Sequence, residues 1–142
     1  MVDTAARYEP FPLTDVQSAY LLGRSEAFDY GGVACHGYLE LALPDGDEGR
    51  LEDAWNLLVR RHDMLRAVVS ADGYQRVLAE VPRYAIRRTD TRQADGERAR
   101  LVVDEIRREM SHQVRATDQW PLFELRTTRT ADGLLLHVAS IC

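Results

Sequence analysis

The four histidines and two cysteines of this sequence could carry acid–base, nucleophilic or metal chemistry. They are His36, His62, His112, His137, Cys35 and Cys142. No two histidines have the short spacing of a metal site, and there is no CxxC pair, so we predict no metal site. Cys35 and His36 are neighbours, and neighbouring side chains of a strand point to opposite faces. We therefore expect Cys35 to be a buried structural thiol and not a nucleophile with its base.

Two of the histidines have both a functional and a structural interpretation. His62 stands beside Asp63, as a general base oriented by a carboxylate would. It also ends a predicted helix, where a histidine interacts with the helix dipole. His137 lies in an apolar strand, where it is either an acid–base group facing a cleft or a core histidine held by hydrogen bonds. Neither a glycine-rich phosphate loop nor a convincing pair of carboxylates is present.

The elements that must position these residues follow from hydrophobic periodicity and turn signals. Thr14 is a good N-cap with Gln17 three residues later, which predicts a helix ending near Gly23. Apolar residues at helical spacing predict two more helices, over residues 47–63 and 96–114. Strands are predicted over residues 35–43, 65–69, 75–79, 84–88, 122–128 and 134–139. The mixture predicts an α+β fold, with helices packed on a mostly antiparallel sheet.

Composition and charge exclude several classes of function. The 142 residues are 45% hydrophobic and 29% charged, which is typical of one globular domain or part of a larger one. The net charge of −5 and the absence of a basic cluster argue against a nucleic-acid partner. We find no signal peptide and no apolar stretch long enough to span a bilayer, and therefore expect a soluble, cytoplasmic protein without a membrane partner.

Two segments resemble signatures of one enzyme family, and three further segments resemble its flanking regions. Residues 11–24 read FPLTDVQSAYLLGR and resemble the first signature of the heterocyclization domains of nonribosomal peptide synthetases, FPLTxxQxAYxxGR. Residues 61–66 read RHDMLR and resemble the second condensation-family signature, RHxxLR. Further similarity lies in residues 32–38, 110–114 and 120–124, in the expected order. By this resemblance the chain is identified as a member of the condensation superfamily, of the heterocyclization type.

The resemblance implies the N-terminal lobe of a domain whose two lobes are chloramphenicol-acetyltransferase-like and enclose a tunnel. Residues 1–10 would be a leader and residues 11–142 the lobe. Heterocyclization members carry a DxxxxD motif just after a strand that resembles residues 135–141, whereas ordinary members carry HHxxxDG. Since neither aspartate is present, we expect the chain to be truncated before the catalytic motif and the second lobe. No catalytic residue is therefore assigned, and the fragment alone is expected to be inactive.

The resemblance also implies roles for four residues of this chain. Tyr20, Arg24 and His137 are candidates to line the tunnel, although Tyr20 would equally suit the core of the lobe. Arg61 matches an arginine that supports the catalytic loop. The family joins a carrier-bound acyl thioester to Cys, Ser or Thr and then forms a thiazoline or oxazoline.

The same resemblance sets the expectations for partners and cofactors. No cofactor would bind directly, because the substrates ride on the phosphopantetheine of carrier domains. The expected partners are acyl or peptidyl carrier domains and the remaining lobe, or a second copy of the chain. An amide-forming condensation lobe and a non-catalytic docking lobe remain alternatives.

Overall fold

A computed structural model describes residues 6–24, 36–113 and 115–141 of the chain. Both cysteines lie outside these described residues, as do residues 25–34, over which the sequence predicts a loop between the first helix and the first strand. The elements are β1 (Phe11–Pro12), α1 (Asp15–Gly23), β2 (His36–Leu43), α2 (Glu48–Arg61), β3 (Ala67–Val69), β4 (Tyr74–Val77), β5 (Arg87–Asp90), α3 (Gly96–Ser111), β6 (Phe123–Thr130) and β7 (Gly133–Ile141), with a 3-10 turn at Asp63–Arg66.

The strands form two sheets. A three-stranded antiparallel sheet has the order β1-β4-β3, and a four-stranded sheet has the order β2-β7-β6-β5. In the second sheet β2, β7 and β6 are antiparallel, while β5 runs parallel to β6. The prediction of an α+β fold with helices on a mostly antiparallel sheet is confirmed.

Helix starts agree with the sequence signals, and α1 ends at Gly23 as predicted, but α2 and α3 end before their predicted boundaries. The backbone N–H of Gln17 donates to Thr14 Oγ1 over 3.3 Å, and the side chain of Gln17 accepts from the backbone N–H of Thr14 over 3.0 Å, so the capping box forms. α2 ends at Arg61 because His62 has an extended backbone, with φ of −105° and ψ of 111°. α3 ends at Ser111, before the predicted boundary at residue 114.

The strand predicted over residues 84–88 lies further along the chain, as β5. Side chains of α2 accept hydrogen bonds from the backbone N–H groups of residues 84 and 86, just before β5. Asn56 Oδ1 accepts from the backbone N–H of Tyr84 over 2.8 Å, and Glu52 accepts from that of Ile86 over 3.0 Å. With these donors already satisfied, pairing with β6 begins only at Arg87.

The four-stranded sheet separates two cores. Its α2 face packs Phe123, Leu125 and Leu136 against Val59 of α2. On the α3 face, Ala139 and other small or polar side chains of the sheet lie under α3. Ile106 and Met110 of α3 pack against Ala139 there. Because alternate residues of β7 point to opposite faces, this strand contributes to both cores, as its nearly continuous apolar sequence predicts.

The β3–β4 and β6–β7 hairpin turns each contain a glycine with positive φ. Gly73 has φ of 82° between β3 and β4, and Gly133 has φ of 136° between β6 and β7. A β-carbon on Gly133 would also lie 2.7 Å from the α-carbon of Pro44. Conformation and space therefore both require glycine at the second turn.

Strand β2 shows that the sheet is only partly covered. Tyr38 and Glu40 point toward α3 and are partly buried, whereas Leu39 and Leu41 point to the other face and are each 49% exposed. The face of β2 that carries Leu39 and Leu41 is therefore apolar but has no covering element among the described residues.

Candidate functional site

A cavity of about 190 Å³ lies between α1, the β3–β4 hairpin and the end of the four-stranded sheet. Both family-like signature segments contribute to its wall, together with Phe123 and Ser140 of the sheet. From the signatures come Leu13, Gln17, Leu21, Arg24, Met64 and Leu65. The two segments are nearly 40 residues apart in sequence, as their numbering shows, so the fold rather than the local sequence brings them together.

Helical spacing places the first signature on the cavity. Gln17, Leu21 and Arg24 recur at intervals of four and three residues, which puts them on one face of α1, and Leu13 lies just before the N-cap Thr14. Gln17 fixes this face, because its side-chain amide exchanges hydrogen bonds of 3.1 and 3.3 Å with the amide of Gln75. Gln75 is only 3% exposed, so this amide pair anchors α1 to the three-stranded sheet.

Arg24 is the charged residue of the cavity wall. Its Nη2 donates to the backbone carbonyl of Arg115, and its Nη1 is closed off from solvent without a hydrogen-bond partner among the described residues. No carboxylate lines the cavity in the described part of the chain. A guanidinium beside apolar walls, with one NH₂ group unsatisfied, is an unused donor. The role of Arg24 in a substrate tunnel stays a prediction.

Tyr20 lies next to this site without forming its wall. Its side chain is 42% exposed, which argues against the alternative that Tyr20 belongs to the core of the lobe. The exposed ring leaves Tyr20 available to an approaching surface, and its tunnel role stays a prediction.

The second signature contains two arginines with opposite environments. Arg61 is exposed, and its side chain has no hydrogen bond or ion pair with other described residues. Arg66 is 4% exposed and donates to the carbonyls of Val59, Arg60 and Leu78 over 2.6, 2.8 and 3.0 Å. Arg66 therefore secures the end of α2. The support of a catalytic loop by Arg61 stays a prediction.

Sequence reasoning missed the structural role of Arg66. The available signal was its position, directly before the apolar strand β3 and at the end of the RHxxLR pattern. Arg66 also donates to Asp63 over 2.7 Å, and Arg7 donates twice to the same carboxylate. The bonds from Arg7 and then Arg66 lower the pKa of Asp63 to about 2.

These contacts answer the question about His62. The Asp63 carboxylate is taken by Arg7 and Arg66, and His62 is exposed at the end of α2. The pair of base and orienting carboxylate does not form among the described residues, so the helix-end interpretation of His62 is favoured. Arg7, in the segment predicted to be a leader, thus contacts the second signature.

His137 lies on the α3 face of the sheet, in a buried network of hydrogen bonds. Its exposed fraction is 0%. Nδ1 lies 2.9 Å from the hydroxyl of Tyr38, and Nε2 lies 2.9 Å from Oγ1 of Thr128. Glu40 completes the network, because it accepts from Tyr38 over 3.1 Å and pairs with Arg107 through bonds of 2.8 and 2.6 Å. The tunnel role of His137 stays a prediction, and these contacts support a core role.

The network assigns the protonation of the imidazole. Arg107 lowers the pKa of Glu40, so this carboxylate is ionised and accepts the Tyr38 hydroxyl proton. Burial raises the pKa of Tyr38 to about 12, and the nearby Glu40 charge adds to this shift. Since the Tyr38 oxygen then accepts, Nδ1 of His137 carries the hydrogen and Nε2 accepts from Thr128. Burial lowers the pKa of His137, so the imidazole is neutral near pH 7.

We expect the free energy of unfolding to fall as the pH is lowered below about 6.5, the ordinary pKa of histidine. The unfolded chain takes up a proton at His137 in this range, whereas burial keeps the folded imidazole neutral. The loss continues until the pH reaches the lower pKa of the folded state. Urea titrations between about pH 7.5 and pH 5.5 measure it.

Variants separate His137 from the other titrating groups. His137→Gln should show a smaller loss of stability over this pH range than the unsubstituted protein. His112→Gln serves as the matched control, because His112 is exposed at the end of α3. An unchanged pH dependence in His137→Gln would contradict the assignment.

The described residues form neither a cluster of metal-binding side chains nor a helix that could span a membrane. Over residues 6–24, 36–113 and 115–141, no three metal-binding side chains lie close enough together to hold an ion. Within the same ranges, every helix is too short or too polar to cross a bilayer.

Comparison with known proteins identifies relatives over most of the chain. Pyochelin synthetase PchF of Pseudomonas aeruginosa is 43% identical over 131 residues, which are 92% of this chain and 7% of PchF. Phenyloxazoline synthase MbtB of Mycobacterium sp. is 37% identical over 131 residues, covering 91% of this chain and 11% of MbtB. This chain therefore spans a small part of the length of these relatives. No protein-family model matches it.

A solved structure agrees with the sequence relatives. The cyclization-docking bidomain of EpoB from Sorangium cellulosum has a TM-score of 0.88 and is 34% identical. The match covers 96% of this chain and 28% of the EpoB chain. The fold and both signature segments described above fall within this shared region.

Proposed function

Since this chain belongs to the condensation and heterocyclization domain family of nonribosomal peptide synthetases, we propose that it forms the N-terminal lobe of a heterocyclization domain. In the proposed reaction, the amino group of Cys, Ser or Thr attacks a carrier-bound acyl or peptidyl thioester, so that an amide bond forms, the carbon–sulfur bond breaks and the thiol of the donor carrier leaves. The side-chain thiol or hydroxyl then attacks the new amide carbonyl, and loss of water gives a thiazoline or oxazoline.

One structural observation carries this proposal. Residues of both signature segments line a single cavity, and Ser140, one residue before the end of β7, lines it too. By the family resemblance, the aspartates of the DxxxxD motif follow this strand. The cavity therefore lies beside the proposed start of the catalytic loop, with Arg24 in its wall.

The choice of ring formation over simple amide formation rests on the first signature and on the relatives. The FPLTxxQxAYxxGR pattern is complete in residues 11–24. The EpoB structure is that of a cyclization-docking bidomain. MbtB is a phenyloxazoline synthase, and an oxazoline is one of the two rings of the proposed reaction. These similarities support the transfer of ring formation to the protein that contains this chain.

We also propose the partners that this lobe requires. The chain covers 28% of the EpoB bidomain, so a second lobe would come from polypeptide beyond the shared region. The exposed Leu39 and Leu41 of β2 offer apolar surface to such a neighbour. Arg61, exposed here, would pair with the catalytic loop. The substrates would arrive on the phosphopantetheine arms of carrier domains.

The test is product analysis with the protein expressed at its natural length. It is mixed with an acyl-loaded donor carrier and with acceptor carriers loaded separately with Cys, Ser and Thr. The products are released and analysed by mass spectrometry. We expect a product whose mass is lower than that of the linear amide by one water. When Cys is the acceptor, this cyclised product should resist thiol alkylation, because its sulfur is part of the ring.

Two outcomes would contradict the proposal. Accumulation of the linear amide alone would indicate an ordinary condensation domain. Absence of both products, with a protein that binds its carriers and unfolds cooperatively, would indicate a docking lobe without catalysis.

A further inference from the structure

The wall of the cavity combines apolar side chains with a single charged group. Most of the wall is aliphatic or aromatic, and the polar groups are Gln17, Gln75, Thr117, Ser140 and Arg24. The two glutamines bond to each other. Arg24 is thus the ionisable residue of the cavity wall in the described part of the chain, and its Nη1 lacks an acceptor there.

An unsatisfied guanidinium favours a ligand that brings an acceptor. Leaving a buried donor without a partner costs about 1–3 kcal/mol, and more for a charged group. A carbonyl oxygen that accepts from Arg24 would remove this cost, while the rest of the ligand fills the apolar space. The Nη1 atom is closed off from water, so the guanidinium has to turn toward the cavity for this bond to form.

The volume limits the apolar part of the ligand. An apolar protein cavity of about 150 Å³ accommodates one benzene molecule. The cavity of about 190 Å³ therefore has room for one six-membered ring or a short branched chain together with a carbonyl group. Because the cavity is partly open to solvent, a second ring or a long fatty chain would extend out of it.

We propose that this cavity binds the small apolar acyl group of the donor thioester, with the acyl carbonyl oxygen accepting a hydrogen bond from Arg24. The inference rests on the proposed function, because that function supplies an acyl thioester. It adds the class of acyl group, a single ring or short branched chain, and it assigns Arg24 as the residue that positions the carbonyl.

Two small probes that differ by one carbonyl test the bond directly. The first is the benzoyl thioester of N-acetylcysteamine, and the second is the corresponding benzyl thioether, which has no carbonyl group. Binding to the protein expressed at its natural length is measured by calorimetry or ligand-observed NMR. We expect the thioester to bind about tenfold or more tightly than the thioether, as a hydrogen bond to a charged group predicts.

Three variants locate the site. In Arg24→Gln the preference for the thioester should disappear, while the thioether keeps its affinity and so shows that the cavity is intact. In Ala67→Leu the added side chain fills the cavity, because Ala67 is a buried wall residue, and both probes should weaken about tenfold or more. Arg100→Gln is the control for the loss of one positive charge, because Arg100 is exposed on α3 and does not line the cavity.

The outcomes are distinct from those of the ring-formation assay. The inference is overturned if neither probe binds, if Arg24→Gln retains the thioester preference, or if Ala67→Leu binds both probes normally. Ring formation with any of these results would leave the proposed function standing and remove only the cavity assignment. Binding as expected without ring formation would instead remove the proposed function.

Discussion

Arg66→Met is expected to lower the free energy of unfolding by about 3–5 kcal/mol, the largest effect that we predict for a single substitution. Methionine keeps the apolar stem but removes the guanidinium. That group donates to three backbone carbonyls and to the carboxylate of Asp63. Urea denaturation followed by circular dichroism measures the change.

The size of this effect follows from burial. Arg66 is 4% exposed and Val59 is 2% exposed, so water cannot replace the lost bond to the Val59 carbonyl. The carbonyls of Val59 and Arg60 belong to the last turn of α2, where helical carbonyls have no partner within the helix. Removing Arg66 leaves these acceptors unsatisfied and frees the turn at Asp63–Arg66.

Arg60→Met is the matched control. The side chain of Arg60 is exposed, and only its backbone carbonyl takes part in the bonds of Arg66. We expect a change within about 0.5 kcal/mol for this surface substitution. Equal losses in the two variants would contradict the structural role of Arg66, since the effect would then follow from charge alone.

The sequence predicts the elements of this fold better than it predicts their buried polar contacts. The cap at Thr14, the apolar stripes of α2 and α3, and the glycine turns are local features, because each depends on residues within a few positions. The position of β5 was missed because the bonds of Asn56 and Glu52 to residues 84 and 86 connect distant segments. No periodicity records such contacts.

The candidate site shows the same division. The family-like pattern drew attention to the helix that ends at Arg24, but it gave no indication that Gln75 would hold that helix against the sheet. It also selected Arg61 and passed over Arg66, although both arginines belong to one pattern. Arg61 is exposed and Arg66 is buried, and this difference depends on the path of the chain between α2 and β3.

His137→Leu is expected to destabilise the protein by about 1–3 kcal/mol, the second largest effect. Leucine has a similar volume and retains the packing under α3. It removes the acceptor of the Thr128 hydroxyl, and Thr128 is 0% exposed. The Tyr38 hydroxyl keeps Glu40 as a partner, so Thr128 carries the main loss. His112→Leu, at an exposed site, is the control.

The double variant His137→Leu with Thr128→Val tests this mechanism more sharply. Valine replaces the Thr128 hydroxyl by a methyl group, so no donor remains unsatisfied at that position. The double variant should lose less stability than the sum of the two single variants, and the difference measures the energy of the hydrogen bond. Strict additivity would contradict the network assigned to His137. Ring formation by a stably folded His137→Leu variant would separate this core role from the predicted tunnel role, because a histidine that contacts substrate affects the reaction even where the fold is retained.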